Sequence, residues 1–107
     1  MTTFDEREQG QEAKFAHDQE LEFKAAARRN RLLGLWAGGL MGLEDPHLED
    51  YATAVVRYDL THSNEDAILR KVAQDLTGAG LKVSEDQVRG KMDEFLAVAR
   101  GQIQAEG

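Results

Sequence analysis

Lys14–Leu43 reads KFAHDQELEFKAAARRNRLLGLWAGGLMGL and holds the chain's single Trp, a basic cluster and its longest apolar run. It contains no Pro, and Ala25, Ala26 and Ala27 are strong helix formers. Charge changes sign along the way. Residues 1–20 carry six acids against two bases, a net of −4, while residues 21–42 carry Lys24, Arg28, Arg29 and Arg31 against Glu22, a net of +3. Leu32–Leu43 is 12 residues without charge. A membrane span needs about 20 apolar residues, so a buried core helix is expected instead. Leu21, Ala25, Arg28, Leu32, Trp36 and Leu43 fall near one helical face, with Leu35, Gly39 and Leu40 beside it. Trp36 is therefore expected to be largely buried. Gly34, Gly38 and Gly42 recur every fourth residue and form a bare ridge that lets another backbone come close. The helix should end near Gly42.

Past this stretch, stripes spaced three and four residues apart predict three more helices. Asp45 and Pro46 suit the cap and first position of a second helix, from about Pro46 to about Leu60. Its inward face is Leu48, Tyr51, Ala52, Val55 and Val56. Ser63 is expected to cap a third helix with stripe Ile68, Leu69, Val72 and Leu76, stopped by Gly78 or Gly80. Ser84 and Gln87 form a capping box, and Val83 and Val88 a hydrophobic staple, ahead of a fourth helix with stripe Val88, Met92, Phe95, Leu96, Ala99 and Ile103. Gly101 and the tail QAEG predict fraying. Val, Ile and Thr never form an alternating run of strand length, so the fold class is all-α. The expected architecture is a four-helix bundle with a long first helix and a flexible N-terminal segment. Residues 1–19 would be that segment and residues 20–107 the bundle domain.

Composition removes several functions. A net charge of −7 argues against a nucleic-acid partner, which needs phosphates neutralised on one face. The absence of Cys removes disulfides and thiolate chemistry. The acidic N-terminus has no apolar signal-peptide core, and no direct membrane insertion is expected. His17, His47 and His62 lack the further ligands a metal site needs, so no metal is expected. Ser63 beside His62 is no catalytic triad without an oriented base and an oxyanion site. The chain is therefore expected not to be an enzyme.

Two regions are candidates for binding. Residues 1–13, MTTFDEREQGQEA, are polar apart from Phe4, and a Thr3–Glu6 pair resembles a capping box. Lacking a core stripe, they are expected to be disordered or frayed when free. The second region is Arg28-Arg29-Asn30-Arg31 near Trp36. Arg28, Arg29 and Arg31 could pair with phosphates while Trp36 or Tyr51 stacks on a base. That reading makes the bundle a nucleotide- or small-ligand-binding sensor with weak ATP or ADP affinity. The plainer reading is a solvated basic face, or one paired with the acidic run Glu44, Asp45, Glu49 and Asp50.

Phe4-Asp5-Glu6-Arg7-Glu8, Lys14-Phe15-Ala16-His17-Asp18, Phe23-Lys24-Ala25 and Ala27-Arg28-Arg29-Asn30-Arg31-Leu32-Leu33-Gly34-Leu35-Trp36-Ala37 carry a resemblance. The chain resembles the zeta subunit of the alphaproteobacterial F-type ATP synthase, and departs from the expected pattern at Gly38 and Gly39. The resemblance implies a non-catalytic inhibitor that binds the catalytic head and blocks ATP hydrolysis. It implies that the N-terminal segment enters an interface between catalytic subunits near the central stalk. Thr3, Phe4, Asp5, Glu6, Arg7, Glu8, Lys14, Phe15 and His17 are then the partner-binding residues. It further implies no required cofactor, a monomer when free, and a cytoplasmic location peripheral to the inner membrane through the ATP synthase.

Overall fold

The apolar stripes close on one another as four helices: α1 (Thr3–Leu40), α2 (His47–Thr61), α3 (Glu65–Gly78) and α4 (Glu85–Glu106). The computed structural model describes the backbone of residues 3–62 and 64–106, and the side chains of residues 18–62, 64 and 66–106. At 1.5 Å per residue, α1 is about 57 Å long. It packs against both α2 and α4, and α3 closes the bundle on the far side.

The α1–α2 contact is set by two glycines of the bare ridge. A Cβ at Gly34 would lie 2.6 Å from the Ala52 Cα, and one at Gly38 would lie 2.7 Å from Leu48 Cδ1. Gly39 faces open space. Gly42, the third glycine of the ridge, touches no neighbouring helix and instead stops α1 with a φ of +81°. The Leu43 N–H reaches back to the Gly38 carbonyl at 2.9 Å and the Gly42 N–H to the Gly39 carbonyl at 3.1 Å. Those bonds satisfy carbonyls a helix end leaves orphaned. α3 ends the same way at Gly80, φ +85°, with Leu81 N–H bonded to the Leu76 carbonyl at 3.0 Å.

Two apolar clusters fill the interior. The larger joins Leu33 and Ala37 of α1 to Val55 of α2, to Ile68, Leu69, Val72, Ala73 and Leu76 of α3, and to Val88 and Met92 of α4. The smaller contains only α1 and α4 residues, with Ala25, Ala99 and Ile103 flanked by Leu21, Leu32 and Leu96. Trp36 meets Phe95 edge to face at 6.5 Å, whereas Ala25 joins Ala99 and Ile103. Residue numbers thus rise along α1 as they fall along α4, and the two helices are antiparallel.

Paired charges bracket the smaller cluster. Arg28 of α1 makes a two-pronged bond to Glu106 of α4, its Nη2 donating to Oε2 at 3.0 Å. Arg100 of α4 does the same to Glu22 of α1, at 3.1 and 2.8 Å. Hydrogen bonds from the guanidiniums hold both carboxyls below the usual carboxylate range, against a smaller effect of desolvation.

Three local expectations are corrected. Asp45 does not cap α2, which begins at His47 after Pro46 with no side-chain cap; its first turn is closed by backbone bonds from Leu48 to Glu44 and from Asp50 to Pro46. Asn64 caps α3, its side chain accepting from the Asp66 N–H at 3.0 Å; Ser63 itself lies outside the described residues. Trp36 is largely buried against the larger cluster, as expected, and Leu33 is among the fully enclosed α1 side chains. α1 meets α2 on one side and α4 on another, so Leu33 lies in the wedge and Trp36 at its rim. The C-terminal tail does not fray: α4 runs to Glu106 because Ile103 packs on α1 and Glu106 pairs with Arg28. The box at Ser84 is as expected, with Gln87 N–H donating to Ser84 Oγ at 3.1 Å and Ser84 N–H to Gln87 Oε1 at 2.9 Å.

Two substitutions separate the glycines. Gly34→Ala should lower stability by about 1–2 kcal/mol, because overpacking against backbone outweighs the gain in helix propensity. Gly39→Ala, with open space around it, should raise stability by about 0.5–1 kcal/mol. Thermal or denaturant melts read both signs. A further expectation concerns acid. Glu22 and Glu106 have folded-state pKa values lowered below the unfolded range of about 4.3. Their contribution is complete above that value and is lost as pH falls through the folded pKa. The amide protection factor at Ile103, corrected for the intrinsic exchange rate at each pH, should therefore fall on acidification before that at Val72 does.

Candidate functional site

Along α1 two functional stretches follow one another. Residues 3–17 continue the α1 backbone helix without a break. The side chains of Thr3, Phe4, Asp5, Glu6, Arg7, Glu8, Lys14, Phe15 and His17 lie outside the described residues. Among the described residues, Leu21 is the first α1 side chain packed against a core cluster.

The basic middle of α1 is split by the helix's rotation. Arg28 turns to Glu106 on α4, and Arg31 turns to Glu49 on α2 with bonds of 2.9 and 2.6 Å. Part of the expected pairing with the acidic run is thus present. Arg29 and Asn30 are instead enclosed, at 4% and 0% exposure. Arg29 Nε donates to Asn30 Oδ1 at 3.2 Å, while Asn30 Nδ2 has no hydrogen-bond partner among the described residues. A buried amide left so costs about 1–3 kcal/mol.

Trp36 and Tyr51 lie elsewhere. Lys91 Nζ sits 5.9 Å from the Trp36 ring and 5.7 Å from that of Phe95. The Tyr51 hydroxyl donates to Asp75 Oδ2 on α3 at 2.8 Å, and Lys71 Nζ approaches the same oxygen at 3.1 Å. Burial, then the bond to Asp75, push the Tyr51 phenol above its usual range. Of the five residues Arg28, Arg29, Arg31, Trp36 and Tyr51, Arg28 and Arg31 line a common groove.

That groove measures about 610 Å³ and lies between α1, α2 and the end of α4. Leu21, Ala27, Val56 and Ile103 give it an apolar lining, Phe23 stands beside them, and Lys24, Arg28, Arg31 and Glu106 supply the charge. Phe23 is 64% exposed. Pattern reading passed over Phe23, Lys24 and Glu106. The signal was an aromatic residue two positions from Leu21, about 200° around the helix and so off the core stripe. Glu106 had no local signal, since only the tertiary return of α4 brings it to Arg28.

Among the described residues no helix is long and apolar enough to cross a membrane. No curated protein matches the chain. One solved structure, described as the solution NMR structure of a protein, is 37% identical with a TM-score of 0.69, and the match covers 81% of this chain and 99% of that one. The family model for ATPase inhibitor subunit zeta matches residues 1–102. A 38-residue first helix, a four-helix core and a match over nearly the full length agree, and the chain belongs to the ATPase inhibitor subunit zeta family.

Proposed function

We propose that this chain is a non-catalytic regulatory subunit that binds the catalytic head of the F-type ATP synthase and blocks ATP hydrolysis with residues 1–19. The observation that carries this is the division of α1. Its packed length among the described residues starts at Leu21, whereas its helix starts at Thr3. A polar, helix-competent segment joined to a folded bundle can order on a partner's cleft while the bundle itself stays intact. Residues 20–107 then serve as the handle and residues 1–19 as the wedge.

In this reading Phe4 and Phe15 are the apolar anchors, since aromatic side chains commonly dominate interface energetics. Thr3, Asp5, Glu6, Arg7, Glu8, Lys14 and His17 set register through charge and hydrogen bonding. A helix lodged between catalytic subunits obstructs the closure that hydrolysis requires. No bond is made or broken by the inhibitor. Its partners are the catalytic subunits and the central stalk, and its location is peripheral to the membrane that holds the synthase.

The test is ATP hydrolysis by purified catalytic head titrated with the full chain and with a chain lacking residues 1–18. The truncated chain should retain a cooperative melt and lose inhibition at every concentration. Phe4→Ala and Phe15→Ala should each raise the half-inhibitory concentration about tenfold, a loss of roughly 1.4 kcal/mol. A truncated chain that inhibits as well as the full one overturns the assignment.

A further inference from the structure

The groove beside Phe23 is not used by the mechanism above. Its apolar part is formed by three helices at once, with Ile103 from α4, Val56 from α2 and Leu21 from α1. Phe23 offers a ring that the fold leaves 64% exposed. The side chains that line it are net basic, the reverse of the chain as a whole. Lys24, Arg28 and Arg31 line it against Glu106 alone, in a chain of net charge −7.

The intramolecular partners of these cations do not close the groove. Lys24 pairs with Glu20 at 3.4 Å, with both side chains about three-fifths exposed, and the Arg31–Glu49 pair is also well exposed. Exposed pairs of this kind contribute about 0–1 kcal/mol each, so an arriving carboxylate can replace Glu20 or Glu49 at small cost.

Position along the helix says which protein arrives. α1 is unbroken, so Phe23 lies about 6 Å beyond Gln19 along the axis. Any protein that grips residues 1–19 reaches the groove with the rim of the same cleft. We propose that the groove is a second docking point on the catalytic head, seating an acidic helix whose apolar side chain packs on Phe23, Val56 and Ile103. This rests on the reading of residues 1–19 as the inhibitory segment, and the two make different demands. The segment obstructs; the groove adds affinity and direction.

The experiment uses the full chain and purified catalytic head, with hydrolysis followed to saturating inhibitor at several salt concentrations. Phe23→Ala should raise the half-inhibitory concentration about tenfold, in the range typical of an interface aromatic, and still give complete inhibition at saturation. Lys24→Glu should raise it too and flatten its dependence on salt. Both side chains are exposed, so the melting temperature should not move. Half-inhibitory concentrations unchanged in both variants overturn the docking proposal while leaving the inhibitory segment intact. Failure of the segment reading appears separately, as undiminished inhibition by the chain lacking residues 1–18. Two other occupants would also overturn the proposal: a dimer in sedimentation that Phe23→Ala dissociates without changing inhibition, or ATP or ADP shifting the Phe23, Val56 and Ile103 resonances with no change in the inhibition of either variant.

Discussion

The distance between α1 and α2 governs this fold. At Gly34 the two helices come so close that a single added carbon would lie 2.6 Å from the Ala52 Cα. Ridge-into-groove packing normally holds helix axes 8–10 Å apart, with side chains between them. Here the spacer is removed on α1 and is a methyl group on α2. That contact brings Val55 onto Leu33, which in turn fixes where α3 must lie to cover both. Each glycine weakens the helix that carries it, by up to about 1 kcal/mol. The close approach gives back packing that a longer residue would prevent.

From this contact the molecule divides into a thick end and a thin end. Four helices share the larger cluster, but two alone share the smaller. The thin end is held by a smaller apolar contact, Ala25, Ala99 and Ile103 with three flanking leucines, and by two exposed Arg–Glu forks that salt weakens. It is also the end from which α1 leaves the bundle. The last turns of α4 therefore hold α1 where its described side chains first meet the bundle, in the least heavily packed part of the interior.

Much of this was legible in the sequence, and the rest was hidden for specific reasons. The α3 stripe Ile68, Leu69, Val72 and Leu76 is buried as its spacing predicts, since α3 presents one broad face to the core. The Ser84–Gln87 box forms because both partners are local. Ser63 and Asn64 are adjacent residues of nearly equal capping preference, and sequence alone could not choose between them. The face of α1 was read as one stripe, but it has two neighbours, and the wider buried arc takes in Leu33, Arg29 and Asn30. The groove escaped notice because part of its lining comes from α2 and α4, more than twenty residues away. The role proposed for residues 1–19 came from the family resemblance; polarity and missing periodicity suit an unremarkable terminus equally well.

The placement of Trp36 makes the protein a selective optical probe. The chain has one indole, and it sits largely buried on Phe95 beside the Lys91 ammonium. Its emission therefore follows the α1–α4 seam of the thick end. Residue 19 is 17 positions away, roughly 25 Å along the helix. Fluorescence is thus blind to ordering of the N-terminal segment itself. A change in Trp36 emission on complex formation would report strain passed down α1 as through a lever, and so would measure how stiffly the handle holds its blade.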